Sequence, residues 1–275
     1  MYSVNITTTS GRLNLCSATV WSLINQSVLP DNINIWISHE AYLADQGIQE
    51  VPAWIEYFNS FRDIIKVRYV KNTGPYRKII PALRKANDDD VLIYGDDDVI
   101  YDSQWLKTLI DAYNKNKGHH VVAARVRKKE RNIFGFYKSY HLYSLSLKEM
   151  DFVKDFIITG VGGCVIAKKN IKSEFLLMDD YLDVAPKTDD LWISKIIELS
   201  GTTVTSVPAA MDFVQEIKHE NDALSHTNVV SNMKNSLLGK MSVKVYNRLL
   251  GYFGFSLSNN DICMKKVDSY FFKKD

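Results

Sequence analysis

The chain of 275 residues carries 34 Lys and Arg against 32 Asp and Glu, a formal net charge of only +2. A balance so near zero argues against nucleic acid as the main partner, because phosphate binding rests on a basic excess. With 46% hydrophobic and 24% charged residues, the composition is that of a soluble globular protein with one large domain or two small ones, and general disorder is excluded. Cys16, Cys164 and Cys263 are isolated, with neither zinc-site nor disulfide spacing, which suits a reducing cytoplasm. The amino terminus lacks a signal-peptide pattern, and no run of 18 apolar residues predicts a membrane span.

Taken in chain order, short apolar runs alternate with helical patterns over the first 210 residues, the mark of a parallel α/β sheet. Residues 4–8 read as a first strand. Leu13, Cys16, Val20, Leu23 and Ile24 follow at helical spacing, and Pro30 ends that stretch. Strands are expected at 33–37 and 65–70, with a helix at 54–61 between them. Residues 76–86 are helical in pattern, with Pro81 forcing a kink or a restart. The compact strand 91–94 runs into Gly95 and three aspartates, and Ser103 is expected to cap a helix over 104–114. Later strands are expected at 121–126, 164–167 and 204–207, with an irregular aromatic and basic insertion at 128–156. Thr188 starts a helix through Leu199 that closes at Gly201.

Charge divides the chain near residue 228. Residues 229–275 hold eight Lys and Arg against three Asp, a net of +5, leaving −3 for the 228 residues before them. Two units are therefore expected, a catalytic domain over 1–228 and a basic amphipathic extension over 229–275. The extension mixes Leu, Val, Tyr and Phe with Lys and Arg at near-helical spacing. It suits either an anionic membrane surface or packing on the body.

Asp96, Asp97 and Asp98 stand at the carboxyl end of a buried strand, where open α/β sheets bind ligands. Three adjacent carboxylates repel one another, and a hard cation such as Mg²⁺ or Mn²⁺ relieves that repulsion while leaving positions for phosphates. The triplet Asp88 to Asp90 precedes the same strand and reads as a solvated turn. Asp189 and Asp190 fall in the first turn of a helix, a position its dipole already favours. Gly160, Gly162 and Gly163 allow close approach of a ligand to backbone, or a tight turn.

Five blocks in order, TTTSGR (7–12), NTGPYRKIIPAL (72–83), LIYGDDDVIYDSQWL (92–106), ITGVGGCVIAKKNI (158–171) and TDDLWISKIIELSG (188–201), resemble GT-A glycosyltransferases. The likeness is to a bacterial polysaccharide-synthesis group, and the last two blocks are also similar to exostosin-type transferase domains. It covers residues 4 to 210 and implies a Rossmann-like, mixed, mainly parallel sheet flanked by helices. It further implies transfer of a sugar, as a hexosyltransferase would, from a nucleotide sugar (UDP-linked above others). The acceptor would be a saccharide or lipid-linked saccharide of a surface glycan such as capsule or lipopolysaccharide, on the cytoplasmic side of the membrane.

By the same resemblance, Mn²⁺ (or Mg²⁺) is bound directly by Asp98, with Asp96 at the ribose or reaching the metal through water, and His219 or His226 as a late ligand. Thr8, Ser10, Arg12, Lys78, Asp96 and Asp97 attend the nucleotide sugar, with Arg77 a weaker candidate. Gly162, Gly163 and Trp192 form the acceptor and sugar floor; on composition alone, Tyr137, Tyr140, His141 and Tyr143 of the insertion suit either stacking on an acceptor sugar or aromatic core packing. Asp190, with Asp189 beside it, is the expected general base toward the acceptor hydroxyl. A haloacid-dehalogenase-like phosphatase is the rival, although that fold places its aspartate on the first strand. The other rival is a non-catalytic carbohydrate-binding protein.

Overall fold

A computed structural model describes residues 1–218 and 237–272, with only the backbone course given for 237–244. β1 (Tyr2–Thr7), β2 (Asn32–Ile37), β3 (Ile65–Tyr69) and β4 (Val91–Tyr94) run parallel in the spatial order β3-β2-β1-β4. The chain first builds outward from β1, then returns to add β4 on its other side. That reversal opens a crevice at the carboxyl ends of β1 and β4. The sheet then continues through β10 (Cys164–Ala167), β6 (Val121–Ala123), β11 (Val204–Ser206) and β8 (Met150–Phe152), of which β10 and β8 run antiparallel to their neighbours.

Alternation along the strands explains the two apolar layers. Val4, Ile6, Ile33, Ile35 and Ile93 face α1 (Leu13–Ile24) and α4 (Trp105–Lys115). Leu92, Tyr94, Cys164 and Ile166 face the opposite side, toward α3 (Ile80–Lys85) and α7 (Asp189–Leu199). The last helix, Asn259–Phe272, joins this second layer. Phe271 packs on Trp192 with ring centroids 4.9 Å apart, and Val267 is buried beside it. No described helix is long and apolar enough to cross a membrane.

Local physics shifts several expected boundaries. Residues 76–86 restart as foreseen: a 3₁₀ turn over Gly74–Lys78 gives way to α3, with Pro81 in its first turn. Ser103 does not cap α4, because its hydroxyl turns to Asp102. Gln26 supplies the cap from outside, its Oε1 accepting the Leu106 N–H at 2.9 Å. The strand expected at 121–126 is two. β6 belongs to the large sheet, and β7 (Val126–Lys128) pairs with β9 (Phe156–Ile158), framing the insertion. The pairing of β5 (Val99–Tyr101) with β12 (Val214–Glu216), just past the aspartates, had no sequence signal of its own.

Candidate active site

A cleft of about 350 Å³ opens at the crevice between β1 and β4. Its floor is acidic. Asp96, Asp97 and Asp98 follow β4 directly, and Tyr101 on β5 fixes their backbone: its hydroxyl accepts the Asp96 N–H (3.1 Å) and donates to the Val161 carbonyl (3.2 Å). Each carboxylate meets a cation from another element. Arg12, after β1, spans Asp97 (2.7 Å) and Asp98 (2.8 Å). Lys78, at the end of the 3₁₀ turn, spans Asp96 (2.8 Å) and Asp189 (2.9 Å). Burial holds Asp97 up at about 6, against the opposing pull of Arg12 and the Thr8 hydroxyl.

Lys78 sits at the centre of the cluster. Burial works against its charged form, but Asp189, Asp96 and Asp190 together outweigh that cost and hold the ammonium well above its ordinary range. Gly160 lies directly over this group. A Cβ there would come within 2.6 Å of Lys78 Nζ and 2.9 Å of Asp96 Oδ1, so any larger residue would have to displace the ion pair that the backbone covers. The Gly160 N–H donates to Asp190 Oδ1 at 3.1 Å. Asp190 stands in the first turn of α7, and its carboxyl is pushed well above the carboxylate range, chiefly by burial and further by the neighbouring Asp189.

A second buried pair shapes the rim. Arg77 and Asp45 are almost wholly enclosed and meet at 2.9 Å. Arg77 also donates to the Thr8 carbonyl (3.0 Å), while Asp45 accepts the Ser10 N–H (3.0 Å), the Gly47 N–H (3.1 Å) and the Asn72 side-chain amide (3.2 Å). One ion pair thus ties together the loops after β1, after β2 and before α3.

The sequence profile of glycosyl transferase family 2 matches residues 6–172, more than half of the chain. The chain belongs to glycosyl transferase family 2. No curated protein matches it. Among solved structures, GalNAc-T7 with UDP, GalNAc and Mn²⁺ is similar over 100% of this chain and 57% of that one, with 14% identity and a TM-score of 0.52. S. aureus TarS 1–349 aligns with 74% of this chain and 57% of that one, at 14% identity and a TM-score of 0.47. This chain therefore spans just over half the length of each, and the likeness to GalNAc-T7 is one of fold, the GT-A arrangement expected from the sequence. The phosphatase alternative falls with the family match and with the aspartates' place on the fourth strand.

The family 2 fold brings most of the expected residues to one place. Thr8, Arg12, Lys78, Asp96, Asp97, Asp98, Asp189 and Asp190 all border the cleft, and so does Tyr140 from the insertion. Four expectations are corrected. Ser10 lies behind the wall, where its hydroxyl accepts the Gln46 N–H at 3.1 Å and steadies the loop after β2. Trp192 is fully buried among Tyr181, Tyr270 and Phe271. At about 100° per residue it lies some 200° round the helix from Asp190, so both cannot face the cleft. Gly162 and Gly163 turn away from it as well. A Cβ on Gly162 would meet Met211 and Ala124, and one on Gly163 would fall on the Trp105 ring.

Gly163 is a structural requirement rather than a sugar contact. Its backbone (φ 87°, ψ 151°) lies in a region that only glycine occupies readily. Gly163→Ala is expected to cost about 1–3 kcal/mol from backbone strain, with overpacking against Trp105 added, and denaturant unfolding measures it. Ligand binding by the folded fraction should stay unchanged.

The expected metal ligands are not assembled. Asp98 and Asp96 are each paired with a cation, and no group of three or more His, Cys, Asp or Glu among the described residues is placed to hold an ion. His219 and His226 lie outside the described residues. The oxygen donors nevertheless suit a hard divalent cation, and Asp96 and Asp98 keep part of their side chains open to the cleft. Asp45, Glu216 and Asn260 border the cleft without having been singled out, since none lies in a motif with chemical spacing.

Proposed function

We propose that this chain transfers a sugar from a nucleotide sugar, UDP-linked, to a saccharide or lipid-linked saccharide acceptor in surface-glycan synthesis, at the cytoplasmic face of the membrane. One observation carries the reading: the triplet Asp96 to Asp98 faces Asp189 and Asp190 across one cleft, with Lys78 bridging the two sets. A donor diphosphate and an acceptor hydroxyl need that combination, cationic support on one side and a proton acceptor on the other. The GalNAc-T7 structure, which holds UDP and Mn²⁺ in a similar fold, supports the choice of donor class and cation.

Asp98 and Asp96 would hold Mn²⁺ or Mg²⁺, with His219, which lies outside the described residues, as a third candidate. When bound, such an ion stabilises the charge developing on the leaving diphosphate. Arg12 and Lys78 neutralise the triplet and offer their charge to phosphate oxygens. Thr8 and Asp97 shape the nucleotide side of the cleft, and Tyr140 stands on the acceptor side. Asp190 accepts the proton of the attacking hydroxyl, oriented by the Gly160 N–H.

Thermal unfolding with a panel of UDP- and GDP-sugars, with and without Mn²⁺, tests the donor and metal assignments. Saturating the correct donor at about a hundredfold over Kd should add about 2.7 kcal/mol, and only with the cation present. Asp98→Ala should lose that Mn²⁺-dependent gain. Equal stabilisation of wild type and variant would remove Asp98 from the metal site.

A further inference from the structure

The insertion between β7 and β8 is a rigid finger with an apolar tip. Asn132 builds its turn: the side-chain oxygen accepts the N–H of Phe134 (2.9 Å) and of Phe136 (3.1 Å), and the Asn132 N–H donates to the Phe136 carbonyl (2.8 Å). Gly135, at φ 84°, closes it, and the Arg131 guanidinium crosses back to the Gly135 carbonyl at 3.0 Å. So ordered a turn could fold its apolar side chains inward. Instead Ile133, Phe134 and Phe136 are 81%, 62% and 66% exposed.

The finger does not stand alone. It is bolted to the end of the helix Leu237–Tyr252: Asn132 donates to the Tyr252 carbonyl (3.0 Å), the Tyr252 hydroxyl meets the Ile133 N–H (3.3 Å), and Phe134 stacks on Phe253 with centroids 6.2 Å apart. Val245 and Leu249 on that helix and Phe253 just past its end recur every four residues, and all three are exposed. Finger and helix end meet at an exposed aromatic pair, Phe134 and Phe253, with exposed Leu249 and Val245 further back along the helix, a grouping of apolar surface that suits an interaction site.

Charge selects what covers this surface. Arg131 flanks the tip, Arg248 stands exposed between Val245 and Leu249, and Lys265 and Lys266 lie exposed on the adjoining helix. Among the described residues, the acidic groups on these elements are engaged elsewhere. Glu130 pairs with Lys138, Asp268 with Lys129 and Lys195, and Asp261 is buried in hydrogen bonds. Aromatic and aliphatic side chains rimmed by cations with no carboxylate partner among the described residues match the interface of an anionic bilayer, where rings enter the headgroup layer and cations meet lipid phosphates.

The patch also runs into the cleft. Ser139, at the finger's base, donates its N–H to the Gly251 carbonyl (2.8 Å), and the next residue, Tyr140, lines the cleft. Asp261 on the last helix clamps this junction, accepting the Tyr140 N–H at 2.6 Å and the Ser139 hydroxyl at 2.7 Å.

We propose that the finger at 131–137 and the exposed side chains of Val245, Leu249 and Phe253 seat the protein on an anionic membrane, placing the Tyr140 side of the cleft at headgroup level. The lipid-linked acceptor rests on the transferase reading above; the docking surface does not. The test is sedimentation of the full chain with phosphatidylcholine vesicles containing about a third phosphatidylglycerol, against phosphatidylcholine alone. Wild type should favour the anionic vesicles and release at high salt.

Phe134→Ser with Phe136→Ser should weaken vesicle binding by about tenfold or more, and so should Phe253→Ser with Leu249→Ser at the helix end. Thermal melts of the variants, expected to match wild type, check that these exposed changes leave the fold intact. Wild type that stays in solution with anionic vesicles, or finger variants that bind as wild type does, would overturn the proposal. It is equally overturned if gel filtration shows the variants losing a dimer while vesicle binding is absent throughout. Vesicle binding needs neither donor nor turnover, so its failure and that of the transferase reading are separable.

Discussion

Asp190→Asn is expected to lower kcat by about a hundredfold to ten-thousandfold, the usual contribution of a positioned general base, while nucleotide-sugar binding is kept. The asparagine oxygen can still accept the Gly160 N–H, so the turn at 160–163 and the start of α7 should hold their shape. What is lost is the acceptor for the hydroxyl proton. Asp189→Asn is a different experiment, because Asp189 pairs with Lys78 at 2.9 Å, and its loss disturbs the donor side as well. A kcat defect with unchanged donor binding for Asp190→Asn, and a raised donor KM for Asp189→Asn, would separate the two roles. Full turnover by Asp190→Asn would exclude it as the base.

The pH profile gives an independent check. Burial and Asp189 hold the Asp190 carboxyl well above the ordinary carboxylate range. A base must be deprotonated to act, so transfer should rise with pH as Asp190 ionises, and that limb should vanish in Asp190→Asn. The stability linkage has the opposite slope. Below the unfolded value of about 4 the group is protonated in both states. As pH rises from there, the native state keeps a proton that the unfolded chain has released, so the stability gained from it is lost through the raised value. Activity and stability thus pull in opposite directions at this residue, as expected for a carboxyl buried for chemical use.

Arg77→Met is expected to cost about 3–5 kcal/mol, because it leaves the Asp45 charge enclosed without its partner. At this chain length that corresponds to a fall in Tm of roughly 10 °C. The backbone effect should be wide, since Arg77 also holds the Thr8 carbonyl and Asp45 gathers the N–H groups of Ser10 and Gly47. Asp45→Asn introduced together with Arg77→Met removes the stranded charge, and should recover at least about 1 kcal/mol as coupling between contacting residues. A Tm for Arg77→Met within about 2 °C of wild type would show that the pair does not organise the rim.

The aspartates were legible because two independent features coincide on them. A strand apolar on both faces announces its own end, and carboxylates placed there have few structural reasons to be adjacent. Lys78 was legible only through resemblance, since a lysine in a helical pattern is ordinarily solvated. Asp45 offered nothing: it is one acidic residue in a loop of ordinary composition, and its importance comes from Arg77, 32 positions later, arriving beside it in space. Trp192 and the pair Gly162 and Gly163 show the converse error. They share blocks with Asp190 and Gly160, but helical rotation and a left-handed turn send neighbours in sequence to opposite sides of a wall.

The sequence alone determined the parallel strands, their order of appearance, the helices between them and the acidic ends on which the site stands, because periodicity and composition are local quantities. It also showed that near-neutrality is a sum of an acidic body and a basic end. Only the tertiary structure decided which cation meets which carboxylate, that β10 enters the sheet antiparallel, and that the basic end is not one thing. Its last helix buries Val267 and Phe271 in the core, while the preceding helix and the residue just past it leave Val245, Leu249 and Phe253 exposed. Those outcomes depend on long-range contacts between segments whose local patterns are alike, and pairing of that kind is set by packing of the whole chain.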